Sequence, residues 1–379
     1  MDVIERARLE AVKTILKCTT SNGLFASGTS KGYTSVWARD SMISLIGACN
    51  EKDSAIKKAF AETLETLAKH QSIHGQIPNC VDLFDPRRIP QVTFATLDSN
   101  AWFLLGEIAF SKAYKTGALL KKHKKNIERA FQWLDFQDAG EDGLPEQQPT
   151  SDWQDAFPHN YGHVLNTQAL YFGALKNFGK TKKAEKVKKI VNNGGRIPDF
   201  FDHHKGFYLP YVWKDHAGII ERGYWFDSLA NCLAIAFGLA ESPHAERVLE
   251  HIEKFKINRP FPLKSIFPAL TPKSEFWHSY FSKCDAREPL HYLNGGIWPM
   301  IGGFYVAALV RQKKFSKAKK QLERLALANK QGKETQWEFN EWLDGKTGKP
   351  KGGVYQAWSA GSYLFAYHCV KKKKVAWFE

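Results

Sequence analysis

Two carboxylates and an indole lie close together in the stretch TSDWQDAFPHNYG, at residues 150–162, just before a long apolar run. Asp152 and Asp155 stand on either side of Trp153. A carboxyl group beside an indole is partly desolvated, which raises its pKa and keeps it protonated near neutral pH, as a general acid requires. The same aspartates could instead cap the helix that the apolar run predicts. The local sequence favours neither alternative.

A second group of carboxylates lies in WEFNEWLDG, near the end of the chain, and comprises Glu338, Glu341 and Asp344. Cleavage of a glycosidic bond needs an acid to protonate the departing oxygen and, in inverting enzymes, a second carboxylate to activate water on the opposite face. Any of the three could be this base. An ordinary acidic loop is the alternative interpretation.

The histidine spacing suggests a metal site, because His159 and His163 are four residues apart and would share one face of a helix. Pro158 and Gly162 weaken the helix that this pair would need, and no H-E-x-x-H pattern occurs. The phosphate-binding pattern G-x-x-x-x-G-K-[ST] is also missing from the sequence. We therefore expect neither a metal nor another cofactor.

The composition favours a sugar ligand over a nucleic acid. The chain has 379 residues with 12 Trp, 13 Tyr and 26 Phe, and flat aromatic faces suit sugar rings or nucleobases. The net charge of +15 could indicate nucleic-acid binding. However, most of the excess is Lys in helical runs such as KTKKAEKVKKIV, with no aromatic residues on the charged face. This pattern is typical of a solvated surface, so we expect no nucleic-acid partner.

The six cysteines are scattered without a C-x-x-C pair, and the first 18 residues lack the apolar core of a signal peptide. No segment is apolar for long enough to span a membrane. These features predict a cytoplasmic protein with reduced thiols and no membrane partner. The sequence leaves open whether copies of the chain form a homo-oligomer.

Two kinds of helical pattern alternate along the chain. Some segments have one apolar stripe, such as Ile127, Ala130, Phe131 and Leu134, whereas others, such as LDSNAWFLLGEIAF, are apolar nearly all round. About twelve helices result. The alternation predicts an all-α fold, an (α/α)₆ barrel in which an outer ring wraps an inner one, as a single domain over residues 1–379. An irregular bundle or a solenoid is the alternative, although no repeat of fixed length occurs.

Polar loops rich in Gly and Pro precede the buried helices, and loops at one end of every inner helix would converge on the mouth of the barrel. A cleft there would combine carboxylates with indole rings, which can hold a polyol between hydrogen bonds and aromatic faces. The residues expected to line it are Asp40, Asp98, Asp155, Glu341, Trp37, Trp153, Trp298 and Trp358.

Ordered blocks over most of the chain resemble the neutral/alkaline invertases, a family of inverting (α/α)₆-barrel glycosidases that split sucrose. The blocks include VWARDSMIS, TLDSNAWFLLG, DAFPHNYGHVLNTQALYFGAL, WFDSLANCLAI, CDAREPLHYLNGGIWP and EWLDG with YQAWSAGSYL. The resemblance implies that Asp155 is the general acid and Glu341 the general base. It also implies a sugar site that contains Trp37, Arg39, Asp40, Asp98, Trp153, His163, Gln168, Asn294, Trp298, Gln356 and Trp358.

The sequence departs from the invertase pattern near the acid. Invertases carry basic residues directly after it, whereas Ala156 and Phe157 follow Asp155 here, and Asn166 replaces a family Glu. The run WQDA and the run GQIPN are closer to the glucosidase domain of glycogen debranching enzymes, a related barrel. Despite these departures, the resemblance as a whole leads us to expect an inverting α-glucosidase with sucrose as substrate. The alternatives are a debranching-type α-glucosidase for short glucans and a non-catalytic sugar-binding barrel.

Overall fold

The computed structural model describes residues 1–29, 32–85, 87 and 89–378. Its helices contain the segments that the sequence periodicity marked as helical. In chain order they are α1 (Val3–Cys18), α2 (Ala38–Ala48), α3 (Ser54–Lys69), α4 (Asp98–Tyr114), α5 (Ala118–Lys122), α6 (Lys124–Asp135), α7 (Leu165–Asn177), α8 (Thr181–Asn193), α9 (Ser228–Phe237), α10 (Ser242–Lys254), α11 (Pro299–Arg311), α12 (Phe315–Lys330) and α13 (Ala357–Lys372). Short 3₁₀ turns cover Cys49–Glu51, Ser279–Lys283 and Asp285–Arg287.

Six of these helices form a closed inner ring. In the order α2, α4, α7, α9, α11 and α13, each contacts the next, and α13 returns to α2. They are buried nearly all round, as in α11, where every residue from Pro299 to Val310 is buried. Small residues allow the close approach of α2 and α13, since a Cβ added to Gly47 would lie 1.9 Å from the carbonyl oxygen of Gly361.

The remaining long helices, α1, α3, α6, α8, α10 and α12, form the outer layer and bury one stripe each. Helix α6, for example, buries Ile127, Ala130, Phe131 and Leu134 and contacts α4. The ring closes at the termini, where the Tyr363 hydroxyl in α13 donates to the carbonyl of Ile4 in α1 at 2.7 Å. The prediction of an all-α (α/α)₆ barrel is confirmed.

Short strands occupy the connections. They are β1 (Thr19–Thr20), β2 (Gly23–Leu24), β3 (Val36–Trp37), β4 (Cys80–Asp82), β5 (Gln91–Thr93), β6 (His163–Val164), β7 (Phe201–Asp202), β8 (Phe207–Tyr208), β9 (Tyr211–Lys214), β10 (Ile220–Arg222), β11 (Phe226–Asp227), β12 (Ile266–Phe267), β13 (Trp342–Leu343) and β14 (Pro350–Lys351). Two sheets have three strands, in the orders β3-β4-β5 and β10-β9-β6, and all pairings are antiparallel. Several strands lead directly into an inner helix and so fix where it begins.

Buried apolar side chains from both layers form one large continuous cluster. Five of the six cysteines are buried, and Cys284 is partly exposed. Within the described part of the chain, no helix combines the length and the apolar character needed to cross a lipid bilayer.

Candidate active site

A cavity of about 440 Å³ opens where the inner helices begin. Its walls come from segments that precede or begin four inner helices, α2, α7, α11 and α13. The lining residues are Tyr33, Trp37, Arg39, Asp40, Trp153, Asp155, Tyr292, Trp298, Glu341, Gln356 and Trp358. Nine of the thirteen residues predicted from the sequence are therefore brought together, although the outermost two, Trp37 and Trp358, lie more than three hundred positions apart in the chain.

Indole rings build the apolar side of this cavity around Trp298. The ring of Trp298 lies edge-on to Trp153 at 5.7 Å and edge-on to Trp358 at 5.6 Å, with interplanar angles of 81° and 82°. The Tyr292 ring lies 5.4 Å from Trp298, whose indole N–H donates to the Tyr292 carbonyl at 3.0 Å. These contacts fix the aromatic faces before any ligand binds, which lowers the entropy cost of binding a sugar.

Asp155 lies at the mouth of the cavity, with 44% of its side chain exposed. Burial of the carboxyl among its neighbours raises its pKa, and the Arg39 guanidinium, whose Nη2 is 3.9 Å from Oδ2, acts in the opposite direction. Helix α7 begins at Leu165 with Val164 at its N-cap, far from Asp155. The structure thus rejects the helix-capping alternative and leaves Asp155 with a raised pKa, as a general acid requires.

Asp152 has a different position from Asp155. It is 1% exposed and accepts the backbone N–H of Gln154 at 2.9 Å, within its own turn. Burial raises the pKa of Asp152 to about 7. Asp152 is not among the described residues that line the cavity. Its hydrogen bond with Gln154 instead stabilises the loop that presents Asp155.

Glu341 lines the cavity together with Asp155. Its Oε2 accepts the backbone N–H of Gly353 at 2.8 Å. Burial raises the pKa of Glu341, the Gly353 N–H lowers it, and the negative charge of Asp155 raises it again. Ionisation of Asp155 thus disfavours ionisation of Glu341, so a state in which only one of the two is charged is favoured.

The other two carboxylates of the same segment hold the loop together instead. Glu338 accepts the backbone N–H groups of Lys333 at 2.7 Å, Glu334 at 3.1 Å and Thr335 at 2.8 Å, and these bonds lower its pKa. Of the three carboxylates that the sequence left as alternatives, Glu338 is thus committed to its own turn.

Asp344 is bound in a similar way. It accepts the N–H groups of Lys346 at 3.0 Å and Thr347 at 2.7 Å and lies 2.9 Å from Nε2 of His291, and its pKa is lowered. Glu341 is the member of the trio that lines the cavity. It is therefore the best placed of the three to act as a base.

Arg39 organises the charges beneath the cavity. It is 4% exposed, and its guanidinium nitrogens lie 3.6 Å from Asp40 and 3.6 Å from Asp98. Asp40 also lines the cavity, and burial, opposed by Arg39 and assisted by Asp155, raises its pKa to about 7. The buried guanidinium of Arg39, in the first turn of α2, thus lies 3.6 to 3.9 Å from three carboxyl groups, those of Asp40, Asp98 and Asp155.

Four predicted sugar-site residues do not line the cavity, and the first two are Asp98 and Asn294. Asp98 is fully buried behind Arg39. Asn294 uses its amide on the backbone, donating to Leu270 and Ala286 at 2.9 Å each and accepting the N–H of Leu270 at 2.7 Å. These contacts clamp the segment before α11 to its neighbours.

The other two are His163 and Gln168. Nε2 of His163 lies 3.1 Å from Asp142, and Gln168 donates to the carbonyl of Pro145 at 2.7 Å. Both side chains thus hold the connection between α6 and α7 rather than the cavity wall. Their position follows from long-range packing, which the local sequence did not reveal.

Two lining residues were missed by the sequence analysis. Tyr33 lies in the loop GTSKGYTSVWARD and Tyr292 in CDAREPLHYLNGGIWP, both of which were expected at the mouth. The negative charge of Glu341, aided by burial, raises the pKa of Tyr33 to about 12. The signal that could have found them is their aromatic character within these loops.

A metal site finds no support in the geometry. Within the described residues, no group of three or more His, Cys, Asp or Glu side chains could hold a metal ion. The two histidines with i, i+4 spacing have different partners. His163 lies next to Asp142, whereas His159 lies 3.1 Å from the hydroxyl of Tyr280.

The closed double ring places the chain in the six-hairpin (α/α)₆ architecture, with an acidic, indole-lined cavity at one end. A family model for alkaline and neutral invertases matches residues 196–373, a range that includes Glu341 but not Asp155. The resemblance seen in the sequence blocks is thus confirmed. Among curated proteins, none matches the chain in sequence.

Solved structures share the fold at low sequence identity. The GH63 mannosylglycerate hydrolase from Thermus thermophilus in complex with glucose is 17% identical, with a TM-score of 0.68 over 94% of this chain and 98% of that one. A rhamnosidase from Klebsiella oxytoca with rhamnose bound is 14% identical, with a TM-score of 0.64 over 97% of this chain and 64% of that one. These likenesses support the six-hairpin architecture and leave the substrate to be argued from the site.

Proposed function

We propose that this protein is an inverting glycoside hydrolase that cleaves an α-glucosidic bond, with sucrose as its substrate. One observation supports this proposal above the others: Asp155 and Glu341, from different connections of the barrel, line one cavity walled by indole rings. Two carboxyl groups with distinct surroundings at one sugar-sized site are what acid and base catalysis of this reaction require.

Each carboxyl has its own role in the proposed reaction. Asp155 donates its proton to the glycosidic oxygen as the bond from that oxygen to C1 of glucose breaks. Glu341 accepts a proton from water as the water oxygen bonds to C1 from the opposite face. Glucose is released with inverted configuration, fructose departs with the proton of Asp155, and no covalent enzyme intermediate forms.

Arg39 and Gly353 suit the two roles. Burial raises the pKa of Asp155 and so favours its protonated form before reaction, and the Arg39 guanidinium, 3.9 Å away, stabilises the carboxylate that remains after proton transfer. The Gly353 N–H, 2.8 Å from Oε2 of Glu341, favours the ionised form that a base needs. The Gly353 N–H thus offsets part of the rise in pKa that burial and the charge of Asp155 cause at Glu341.

The choice of sucrose is supported by the match of residues 196–373 to the invertase family model. The resemblance of WQDA and GQIPN to debranching-type glucosidases keeps short glucans as the alternative. A sugar-binding barrel without catalysis is the alternative from another class.

Incubation with sucrose, isomaltose, trehalose and maltooligosaccharides, followed by sugar analysis, separates these proposals. We expect glucose and fructose in equal amounts from sucrose, and release slower by on the order of 10² to 10⁴-fold in the Asp155→Asn variant. Glucose from isomaltose or maltooligosaccharides without cleavage of sucrose would favour the debranching type. Binding without any hydrolysis would refute the enzymatic proposal.

A further inference from the structure

A second concave surface lies outside the catalytic cavity and has no part in the proposed reaction. Two adjoining cavities, of about 790 Å³ and 1230 Å³, share His159, Tyr161 and His278 in their walls. Together we call them the aromatic groove. None of their described lining residues also lines the catalytic cavity.

The floor of the aromatic groove is the sheet β10-β9-β6 with the segment that leads into it. The Tyr161 ring lies 4.7 Å from Tyr211 and 6.2 Å from Trp213. Across the groove, His159 lies 4.9 Å from His278. These rings form two aromatic groups in the groove, in which Tyr161, Trp213 and His159 are partly exposed and His278 is exposed.

The charges in the aromatic groove argue against an anionic ligand. Although the chain carries a net charge of +15, the charged lining residues described are Glu146, Glu221, Glu275 and Arg222. Three carboxylates against one guanidinium would repel phosphate groups. Hydroxyl groups, in contrast, can donate to carboxylates and accept from the guanidinium.

The position of the groove also favours a sugar chain. His159 follows Asp155 by four residues, so their Cα atoms lie no more than about 14 Å apart. A general acid stands on the side of the departing sugar, because it protonates the oxygen of that sugar. A wall residue of the aromatic groove thus lies within about 14 Å of the group that would protonate the departing sugar, a distance that a longer saccharide can span.

We propose that the aromatic groove is a second carbohydrate site, which binds a neutral oligosaccharide by stacking its rings on Tyr161 and Trp213. Hydroxyl groups of the bound chain then bond to Glu221, Arg222 and Glu275 at the rim. The site would retain the enzyme on oligosaccharides that it need not cleave. This proposal goes beyond the proposed reaction and does not require it.

The test uses the Asp155→Asn protein, so that hydrolysis does not consume the ligand. Calorimetric titration with maltoheptaose and electrophoresis through gels that contain inulin probe a glucan and a fructan separately. We expect binding of at least one of them. Trp213→Ala should weaken it on the order of tenfold in Kd, since it removes one stacking surface.

Tyr224→Ala is the second variant, and Phe255→Ala is its matched control. Both aromatic side chains are 43% exposed, but Tyr224 lines the groove and Phe255 does not. Tyr224→Ala should weaken binding two- to threefold, whereas Phe255→Ala should leave it unchanged. The two substitutions remove similar exposed rings, so a general loss of stability would affect both.

Three results would overturn the proposal. They are failure of both probes to bind, unchanged affinity in both Trp213→Ala and Tyr224→Ala, and dissociation of an oligomer by these variants with no change in sugar affinity. The last would identify a second copy of the chain as the occupant of the groove.

A separate measurement distinguishes the groove from the catalytic cavity. When Asp155 is intact, the Trp213→Ala variant should cleave sucrose at the rate of the unmodified protein. If the protein binds maltoheptaose through the groove but cleaves no glycoside, the proposed function is wrong and the proposal of a second carbohydrate site still holds.

Discussion

Glu341 and Gly353 are joined by two hydrogen bonds: the N–H of Gly353 donates to Oε2 of Glu341 at 2.8 Å, and the N–H of Glu341 donates to the carbonyl of Gly353 at 2.8 Å. The loop of Glu341 thus takes part in orienting its carboxyl group. Gly352 lies against the same side chain, so the base position depends on two neighbouring glycines.

The first prediction concerns Gly352, whose φ of +65° favours glycine. A Cβ added there would lie 2.5 Å from Oε2 of Glu341, so Gly352→Ala should displace the carboxylate. We expect kcat to fall on the order of 100-fold, as for a misplaced catalytic group. Gly179→Ala is the control, because its φ is +71° but nothing lies within 4 Å of the added Cβ. Both variants should lose about 1–2 kcal/mol of unfolding free energy, and equal kcat values would contradict the role of Gly352.

The second prediction concerns Asp155. Asp155→Asn should keep the fold, because the side chain is 44% exposed at the cavity mouth, and should lower turnover by on the order of 10² to 10⁴-fold, the usual contribution of a general acid. Steady-state kinetics with sucrose measures the loss, and circular dichroism checks the fold. Turnover near the wild-type rate in a folded Asn variant would remove Asp155 from the mechanism.

The third prediction concerns stereochemistry. An inverting site holds its carboxyl groups roughly 6.5 to 9.5 Å apart, which leaves room for water, so hydrolysis of an α-glucoside should release β-glucose first. Proton NMR of the first product anomer measures this, and azide should trap no glycosyl-enzyme. If α-glucose appears first, Glu341 does not act as a base.

Glu341→Gln tests the same residue directly. It should abolish hydrolysis while substrate still binds, because the amide cannot accept the proton of water. Glu334→Gln is the matched control, since Glu334 is exposed in the same segment, and it should keep full activity. Full activity in Glu341→Gln together with β-glucose as first product would redirect attention to Glu338 or Asp344.

The fourth prediction concerns the pH dependence of stability. Burial raises the pKa of Asp227 from 3.8 to about 7. Between these pH values the folded chain keeps a proton that the unfolded chain has lost, so stability should fall as pH rises from about 4 to about 7 and level off above. Asp227→Asn should flatten this slope in thermal unfolding, because Asn still caps α9 by accepting the N–H of Ala230.

Asp53→Asn is the control for this measurement. Asp53 caps α3 through the N–H groups of Ala55 and Ile56, at a partly exposed position. Asp53→Asn should change Tm little, because Asn accepts the same N–H groups at an N-cap, and it shows the effect of an Asp-to-Asn change at a helix cap by itself. Equal slopes in the wild-type protein and in Asp227→Asn would show that Asp227 is ionised in the folded state at these pH values.

The fifth prediction concerns the net charge of +15. If the lysines form a solvated surface, the protein should associate with duplex DNA only weakly, without sequence preference and with strong sensitivity to salt. Fluorescence anisotropy at about 50 and 200 mM salt measures this. A tight complex that persists at physiological salt would revive a nucleic-acid function.

The sequence by itself determined the double-layered barrel. Whether a helix is buried all round or along one stripe is written in its own residues, because burial follows the helical period, as in α6 and α11. The same local information placed the loops with Asp155 and Trp298 at the mouth. The resemblance blocks added which carboxyls could act as acid and base.

Only the tertiary structure decided which polar groups are free to meet a ligand. Glu338, Glu341 and Asp344 are equivalent in sequence, yet two of them are bound by N–H groups of their own turns and one lines the cavity. Asn294 has the composition of a sugar ligand but uses its amide on the backbone. Hydrogen bonds of this kind depend on which segments of the folded chain lie next to each other. They cannot be predicted from the periodicity of the sequence.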